Sequence, residues 1–332
     1  MAKDFADLET YEEMQAYAMQ IGGGDEAKKQ IKTRQRTIAR LSPCVGLPIS
    51  DGRSRLCPRD DVYFSTAQGR VLNARKKRYT FGVEMFGRGI GSLRVNLQSE
   101  KPTERYIFVA KDSASGWEWS KNRAHAKEIN AYLKKQREKS AKDTPNVQER
   151  EVQWRLANAL GRDPELKGLK AVRWFGWPTE IGVSINREGR PATGNIDILV
   201  RRRERNIAQF LVCELKGPND GDVANALRQA ICYAVALHHE ANASNETRES
   251  YRTVFGSKDG SNLQVGVFVA VHRKFENDAK VAVEALQFGK SATGLIVDRI
   301  GVLLYDLKGR KATDWRWLAG WDPRLVGVTE GG

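Results

Sequence analysis

The apolar positions of this chain follow two periods, and the change from one to the other marks its elements. Val147 to Leu160 repeats at helical spacing, with Val152, Leu156 and Ala159 on one face. Leu169 to Phe175 and Thr179 to Ile185 read as a strand pair, and Gly189 to Gly194 as the turn into the next strand. That strand, Ile196 to Val200, is apolar except for Asp197. Arg201 to Arg205 reads as a charged turn, and Phe210 to Cys213 as a strand leading into Glu214-Leu215-Lys216. Gly217-Pro218-Asn219-Asp220-Gly221 is a strong breaker. Beyond it Val223, Leu227, Ile231 and Val235 recur at helical spacing. Asn242 to Asn262 is polar and reads as loop, and Leu263 to His272 as a buried strand. Asp278 to Phe288 reads as a helix with Val281, Ala285 and Phe288 inward, and Gly294 to Leu307 as one or two further strands. Trp315, Trp317 and Trp321 are expected to fold back, because exposed tryptophans are unfavourable. The order of helices and strands predicts an α/β core, a mixed central sheet flanked by helices.

The front of the chain has a different texture. Asp7 to Gln20 predicts a short helix, and Ala27 to Leu41 a basic helical stretch with a thin apolar stripe. Ser42 to Asp61 reads as loop. Asp61 to Ser65, Arg78 to Phe86, Ser92 to Gln98 and Arg105 to Ala110 are short strand-like runs. Gly87-Arg88-Gly89-Ile90-Gly91 lacks the lysine and strand-to-helix setting of a phosphate loop and reads as a flexible turn. Trp117 and Trp119 precede a basic helix, Asn122 to Ser140. These aromatics either cover a small core or stack bases. The charged segment around Lys139 to Asn146 suggests a boundary. It divides a basic α+β unit, 1–143, from a second unit, 144–332.

Charge sharpens this division. The chain has 332 residues and a formal net charge of +14. Residues 1–143 hold 28 Lys and Arg against 18 Asp and Glu, a net +10, and the remainder nets +4. Such an excess favours a polyanionic partner. Lys28, Lys32 and Arg36, with the cluster Arg75, Lys76, Lys77 and Arg78, are the candidate phosphate contacts; a merely solvated face is the other reading. Mean hydropathy is −0.55, no apolar run is long enough to span a bilayer, and the N-terminus lacks an apolar signal core. A cytoplasmic protein without membrane association is expected. The 4 cysteines form no C-x-x-C pair, which argues against structural zinc. A homo-oligomer or a protein partner stays open.

The candidate chemistry lies at the strand ends. Residues two apart on a strand share a face, so Glu214 and Lys216 project together with Leu215 opposite. If Asp197 ends the neighbouring strand on the same side, two carboxylates and a lysine converge. Hard oxygen ligands of this kind suit Mg2+ or Mn2+, and a lysine beside them can hold an attacking water and offset charge on a phosphate. A surface salt bridge at a strand end is the plain alternative. Gln229 and Tyr233 are four apart and share a helix face. Glu149 falls on the apolar face of the Val147 to Leu160 helix. A helix N-terminal acid favoured by the macrodipole is the ordinary explanation for it.

Ile196-Asp197, a 16-residue spacing, Glu214-Leu215-Lys216 and then Gln229-x-x-x-Tyr233 resemble the PD-(D/E)xK nuclease superfamily. The likeness is to the branch shared by RecB-type nuclease domains and to the archaeal mismatch endonucleases and Holliday-junction resolvases. It covers roughly residues 145–305. Asn195-Ile196 stands where the family's name has proline, at a position that varies within it. The resemblance implies a restriction-endonuclease-like core and metal-dependent hydrolysis of DNA, in repair or in defence against foreign DNA. It implies Asp197, Glu214 and the Leu215 carbonyl as ligands of Mg2+ or Mn2+, and Lys216 as the residue positioning water. Gln229 and Tyr233 would orient Lys216 or hold the phosphate. A helix glutamate joining the metal site would be Glu149 first and Glu151 second. A non-catalytic nucleic-acid-binding protein with the same fold, or an RNA-directed nuclease, are the alternatives.

Overall fold

The computed structural model describes residues 8, 10–20, 29, 32, 62–73, 78–85, 88–96, 98, 106–111, 116–118, 123–143, 149–174, 177–187, 190–204, 207–255, 264–286, 297–308 and 311–323. The chain is mixed α/β, with mixed sheet flanked by helices. Helix α1 is Tyr11–Gln20. Strands β1 (Val62–Asn73), β2 (Arg78–Met85), β3 (Arg88–Asn96), β4 (Tyr106–Ala110) and β5 (Gly116–Glu118) lead to helix α2 (Arg123–Asp143). Helix α3 (Glu149–Ala159) is followed by β6 (Leu169–Ala171), β7 (Arg173–Trp174), β8 (Trp177–Arg187), β9 (Arg190–Ile196), β10 (Ile198–Glu204) and β11 (Ile207–Leu215). Then come α4 (Val223–Asn242), α5 (Asn245–Phe255), β12 (Gln264–His272), α6 (Glu276–Glu284), β13 (Val297–Lys308) and β14 (Lys311–Trp317).

Among the described residues the strands form two sheets. The six-stranded one runs β14-β13-β12-β11-β10-β6. Its β11, β12 and β13 are parallel and its other pairs antiparallel. The near-continuous apolar run of β12, buried from Val265 to Val271, is what a parallel strand covered on both faces requires. Alternation along β11 sorts its side chains into two layers. Phe210 and Val212 join the core beneath α4, while Leu211, Cys213 and Leu215 pack with Val152 and Leu156 of α3. Helix α4 is buried on nearly every side because α1 and α6 cover what the sheet leaves. Cys232 Sγ lies 3.7 Å from the Met14 carbonyl and Arg228 Nε donates to the Leu8 carbonyl at 2.7 Å, so the first turn of α1 and the residue before it are tied to α4.

The eight-stranded sheet has the order β5-β4-β3-β2-β1-β8-β7, with β9 beside β8. It crosses the expected boundary near residue 143, since β1 pairs in parallel with β8 at Phe64↔Thr179. Helix α2 packs over β2 and β5. Trp117 sits 6.0 Å from Phe108 and 5.8 Å from Tyr132, ring centre to ring centre. This aromatic cluster therefore covers a small core.

Several expectations are corrected. Residues 88–91 continue β3 instead of forming a flexible turn, pairing with β2 and β4. Leu169–Ala171 belongs to the six-stranded sheet, apart from β8, and Arg190–Ile196 is a strand paired along β8 where a turn was expected. Arg201 to Glu204 belong to β10, with Glu204 paired to Ile207, where a turn was expected; Arg205 lies outside the described residues. The polar stretch after Asn242 contains helix α5, capped by Ser244, whose Oγ accepts from Thr247 N. In α6 the buried positions are Ala279 and Val283, while Val281 is 66% exposed and Ala285 is exposed too; the helix runs from Glu276 to Glu284, so Ala285 lies just past its end. Phe288 lies outside the described residues. Trp315 is buried on β14, and Trp317 lies edge-on to Phe268 at 5.4 Å, so the tail folds back as expected. Among the described residues no helix is long and apolar enough to cross a membrane.

Candidate active site

Asp197 sits at a junction. Strand β9 ends at Ile196, paired to Ile181 in the larger sheet, and β10 begins at Ile198, paired to Cys213 in the smaller one. The expected unbroken strand is interrupted at the aspartate. Two bonds hold it there. Its Oδ2 accepts the Leu215 amide at 2.9 Å, and its carbonyl accepts Nε2 of Gln153, from α3, at 2.6 Å. Leu215 thus meets Asp197 through its amide, with its side chain buried in the layer below.

Glu214 points to the opposite layer, toward α4, and is only 6% exposed. Its Oε2 is buried and has no hydrogen-bond partner among the described residues. Burial, Asp197 and Glu149 all push its carboxyl well above the ordinary range, and Lys216 pulls against them. These four side chains therefore share one electrostatic neighbourhood. Lys216 lies just past β11. Its amide still bonds the Ala270 carbonyl of β12 at 3.0 Å, and its Nζ stands 3.8 Å from Asp220 Oδ2.

Glu149 opens α3 against the strand end: a Cβ on Gly217 would stand 3.6 Å from the Glu149 backbone and Cβ. Glu151 instead pairs with Arg155 one turn on, at 2.8 Å. Of the two helix acids, Glu149 is the one beside the site. Gln229 donates through Nε2 to Tyr233 Oη at 2.7 Å, so this bond runs to the tyrosine. The Tyr233 ring fills the space that a Cβ at Gly194 would need, coming within 2.5 Å of it, three residues before Asp197. Burial first, then Glu214 and Asp197, raises the Tyr233 phenol, so it stays neutral.

Two further residues at the site were missed in the sequence reading. Gln153 is 7% exposed on the inner face of α3. Tyr305, fully buried on β13, donates from Oη to the Lys216 carbonyl at 2.9 Å. A polar residue one turn after Glu149 on the apolar face was the only cue to the first. The second comes from 89 residues away in sequence, beyond the reach of any local pattern.

Two of the candidate phosphate contacts are among the described residues. Lys32 is helical and exposed, and Arg78 opens β2 opposite Asn96. Lys28, Arg36, Arg75, Lys76 and Lys77 lie outside the described residues.

The donor set for a metal ion can be judged directly. Among the described residues no group of three or more His, Cys, Asp or Glu side chains forms a metal cage. Magnesium does not require one: it keeps several waters and binds through one or two carboxylates. The unpartnered Glu214 oxygen beside Asp197 fits a hard divalent cation of that kind. Comparisons of the chain with protein-family models, with curated proteins and with solved structures find no match.

Proposed function

We propose that this chain is a divalent-metal-dependent nuclease that hydrolyses phosphodiester bonds in DNA. Its six-stranded sheet and two flanking helices would form a restriction-endonuclease-like core of PD-(D/E)xK type, serving repair or defence against foreign DNA. The observation that carries this reading is the Glu214 carboxylate, buried, unpartnered at Oε2 and shared electrostatically with Asp197, Glu149 and Lys216. An acid sealed in this way is costly unless a cation joins it. A strand-end salt bridge would give Lys216 to Glu214, but the close contact of Lys216 Nζ is to Asp220.

Asp197 and Glu214 would hold Mg2+ or Mn2+. Bound there, the metal supplies a Lewis acid and a more acidic water. Lys216 holds the attacking water and a non-bridging phosphate oxygen, offsetting the charge that builds in the transition state. The water oxygen loses a proton to solvent and adds to phosphorus as the ester P–O bond breaks, and the departing sugar oxygen takes a proton from solvent. Neutral Tyr233, oriented by Gln229, offers its hydroxyl beside the carboxylates. A non-catalytic binding protein of the same fold would have no use for the complete Asp197, Glu214 and Lys216 set.

The test uses the full chain with supercoiled plasmid, linear duplex, single-stranded DNA and RNA, each in Mg2+, Mn2+ or EDTA. DNA cleavage that EDTA stops is expected. Asp197→Ala, Glu214→Ala and Lys216→Ala should each abolish it with little change in DNA affinity, because phosphate contacts elsewhere supply most of that affinity. Lys216→Ala cutting at the wild-type rate in Mg2+ would sink the assignment, and cleavage of RNA alone would move the substrate class.

A further inference from the structure

Where a strand leaves its sheet, its carbonyls lose their ladder partners, and a buried carbonyl left unpaired is costly. Two of the chain positions that project chemistry into the candidate site lie at such points. Asp197 stands between β9 and β10, and Lys216 stands one residue past β11. In each case the carbonyl is taken by a neutral side chain from a distant element. Gln153 of α3 donates to the Asp197 carbonyl at 2.6 Å. Tyr305 of β13 donates to the Lys216 carbonyl at 2.9 Å. Each residue is also held at a second point: Asp197 by the Leu215 amide at 2.9 Å, and Lys216 through its own amide on Ala270 at 3.0 Å.

Resting on the nuclease reading above, we propose that Gln153 and Tyr305 are positioning residues that fix the peptide planes carrying Asp197 and Lys216. The donor of each is already engaged on a backbone carbonyl. Both are locked in place. Gln153 lies on the apolar face of α3 between Val152 and Leu156. The Tyr305 ring lies edge-on to His272 at 5.5 Å and tilted against Trp315 at 5.7 Å. Burial, reinforced by Glu149 and Asp220, keeps the Tyr305 phenol protonated, so it remains a donor. Rotating the Asp197 peptide would swing its carboxylate off the Leu215 amide. Rotating the Lys216 peptide would redirect the ammonium. Small misplacements of reacting groups are expensive in rate.

The test pairs kinetics with amide hydrogen exchange on the full chain, for Gln153→Met and Tyr305→Phe. Both substitutions nearly keep size and remove the donor along with the oxygen of its group. Each should lower kcat by about tenfold while KM and DNA affinity stay at wild-type values. Exchange should speed up by about tenfold at one amide in each variant, Leu215 for Gln153→Met and Lys216 for Tyr305→Phe. The Val212 amide, in mid-strand, should not change. A fall in kcat without the matching local exchange, or local exchange without the fall, overturns the assignment for that residue. Faster exchange throughout β11, Val212 included, marks a general packing role and overturns it too. If the wild-type chain cuts no nucleic acid, the nuclease reading falls separately, and the exchange pattern alone then decides whether these two side chains fix the backbone.

Discussion

A glutamate sealed between a sheet and a helix ionises only at a cost, and at Glu214 the nearby Asp197 and Glu149 add to it. The folded chain therefore keeps a proton on Glu214 at pH values where the unfolded chain, near the ordinary 4.5, has released it. The folded state binds more protons, so this group's contribution to stability is full below about that pH and is lost as pH rises through the folded value. In EDTA at neutral pH, Glu214→Gln is expected to melt above the wild type. The gap should close on acidification, and Mg2+ should raise the wild-type Tm more than the variant's. Identical melting curves for the two proteins at every pH would show that Glu214 ionises freely. The helix acids separate in the same way. Glu149→Gln should cut Mg2+-dependent activity by roughly tenfold or more, and Glu151→Gln, which loses only the pairing with Arg155, should stay close to wild type; equal activities would remove both from the site. Glu214, Lys216, Gln229 and Tyr233 were legible in the sequence because strand and helix periods place them on shared faces. Gln153 and Tyr305 were not, because what makes them matter is a carbonyl contributed by another element.

Elements with strong apolar periods, such as β12 and α4, were legible down to a residue or two at their ends, and β11 begins three residues before the expected Phe210. Those that depend on tertiary partners were not. Helix α5 has a thin apolar face, and a buried bond anchors it to α4: Tyr251 Oη to Glu240 Oε2 at 2.9 Å. Its start depends on the Ser244 cap. Ser244→Ala should therefore cost about 1 kcal/mol, seen as faster amide exchange in α5, with DNA cleavage unchanged. Exchange rates in α5 that do not move would mean the cap contributes nothing. Strand β9 was hidden by Gly189, Pro191 and Gly194, which read as a turn. Gly194 is there instead because the Tyr233 ring occupies the place of a side chain. The phase of α6 also depends on its partners: packing buries Ala279 and Val283 and leaves Val281 in solvent.

At the scale of the whole molecule, the front of the chain is built into the rest. Strand β1 pairs with β8, and α1 covers α4. A fragment starting near Thr144 is expected to expose the α4 surface that Met14 and Leu8 now cover, and to melt well below the full chain. The front also carries +10 of the net charge. Reversing Arg75, Lys76, Lys77 and Arg78 to acids should weaken DNA binding. It should also flatten the plot of log affinity against log salt by about 0.9 per lost contact on duplex, or about 0.7 on single strands. Metal dependence of the residual cleavage should not change. A Thr144 fragment that folds and binds DNA as tightly as the full chain would refute both the structural dependence and the role in binding. The bond from Tyr305 to Lys216 also has a meaning in time. A ribosome makes the glutamate, the lysine and the aspartate long before it makes β13, and domains acquire structure as the chain emerges. On the nuclease reading, a half-made chain has the acids but not the strand that fixes the lysine. It would be a blade without a hinge pin until β13 has been made, cutting the nucleic acid around it more slowly than the folded chain.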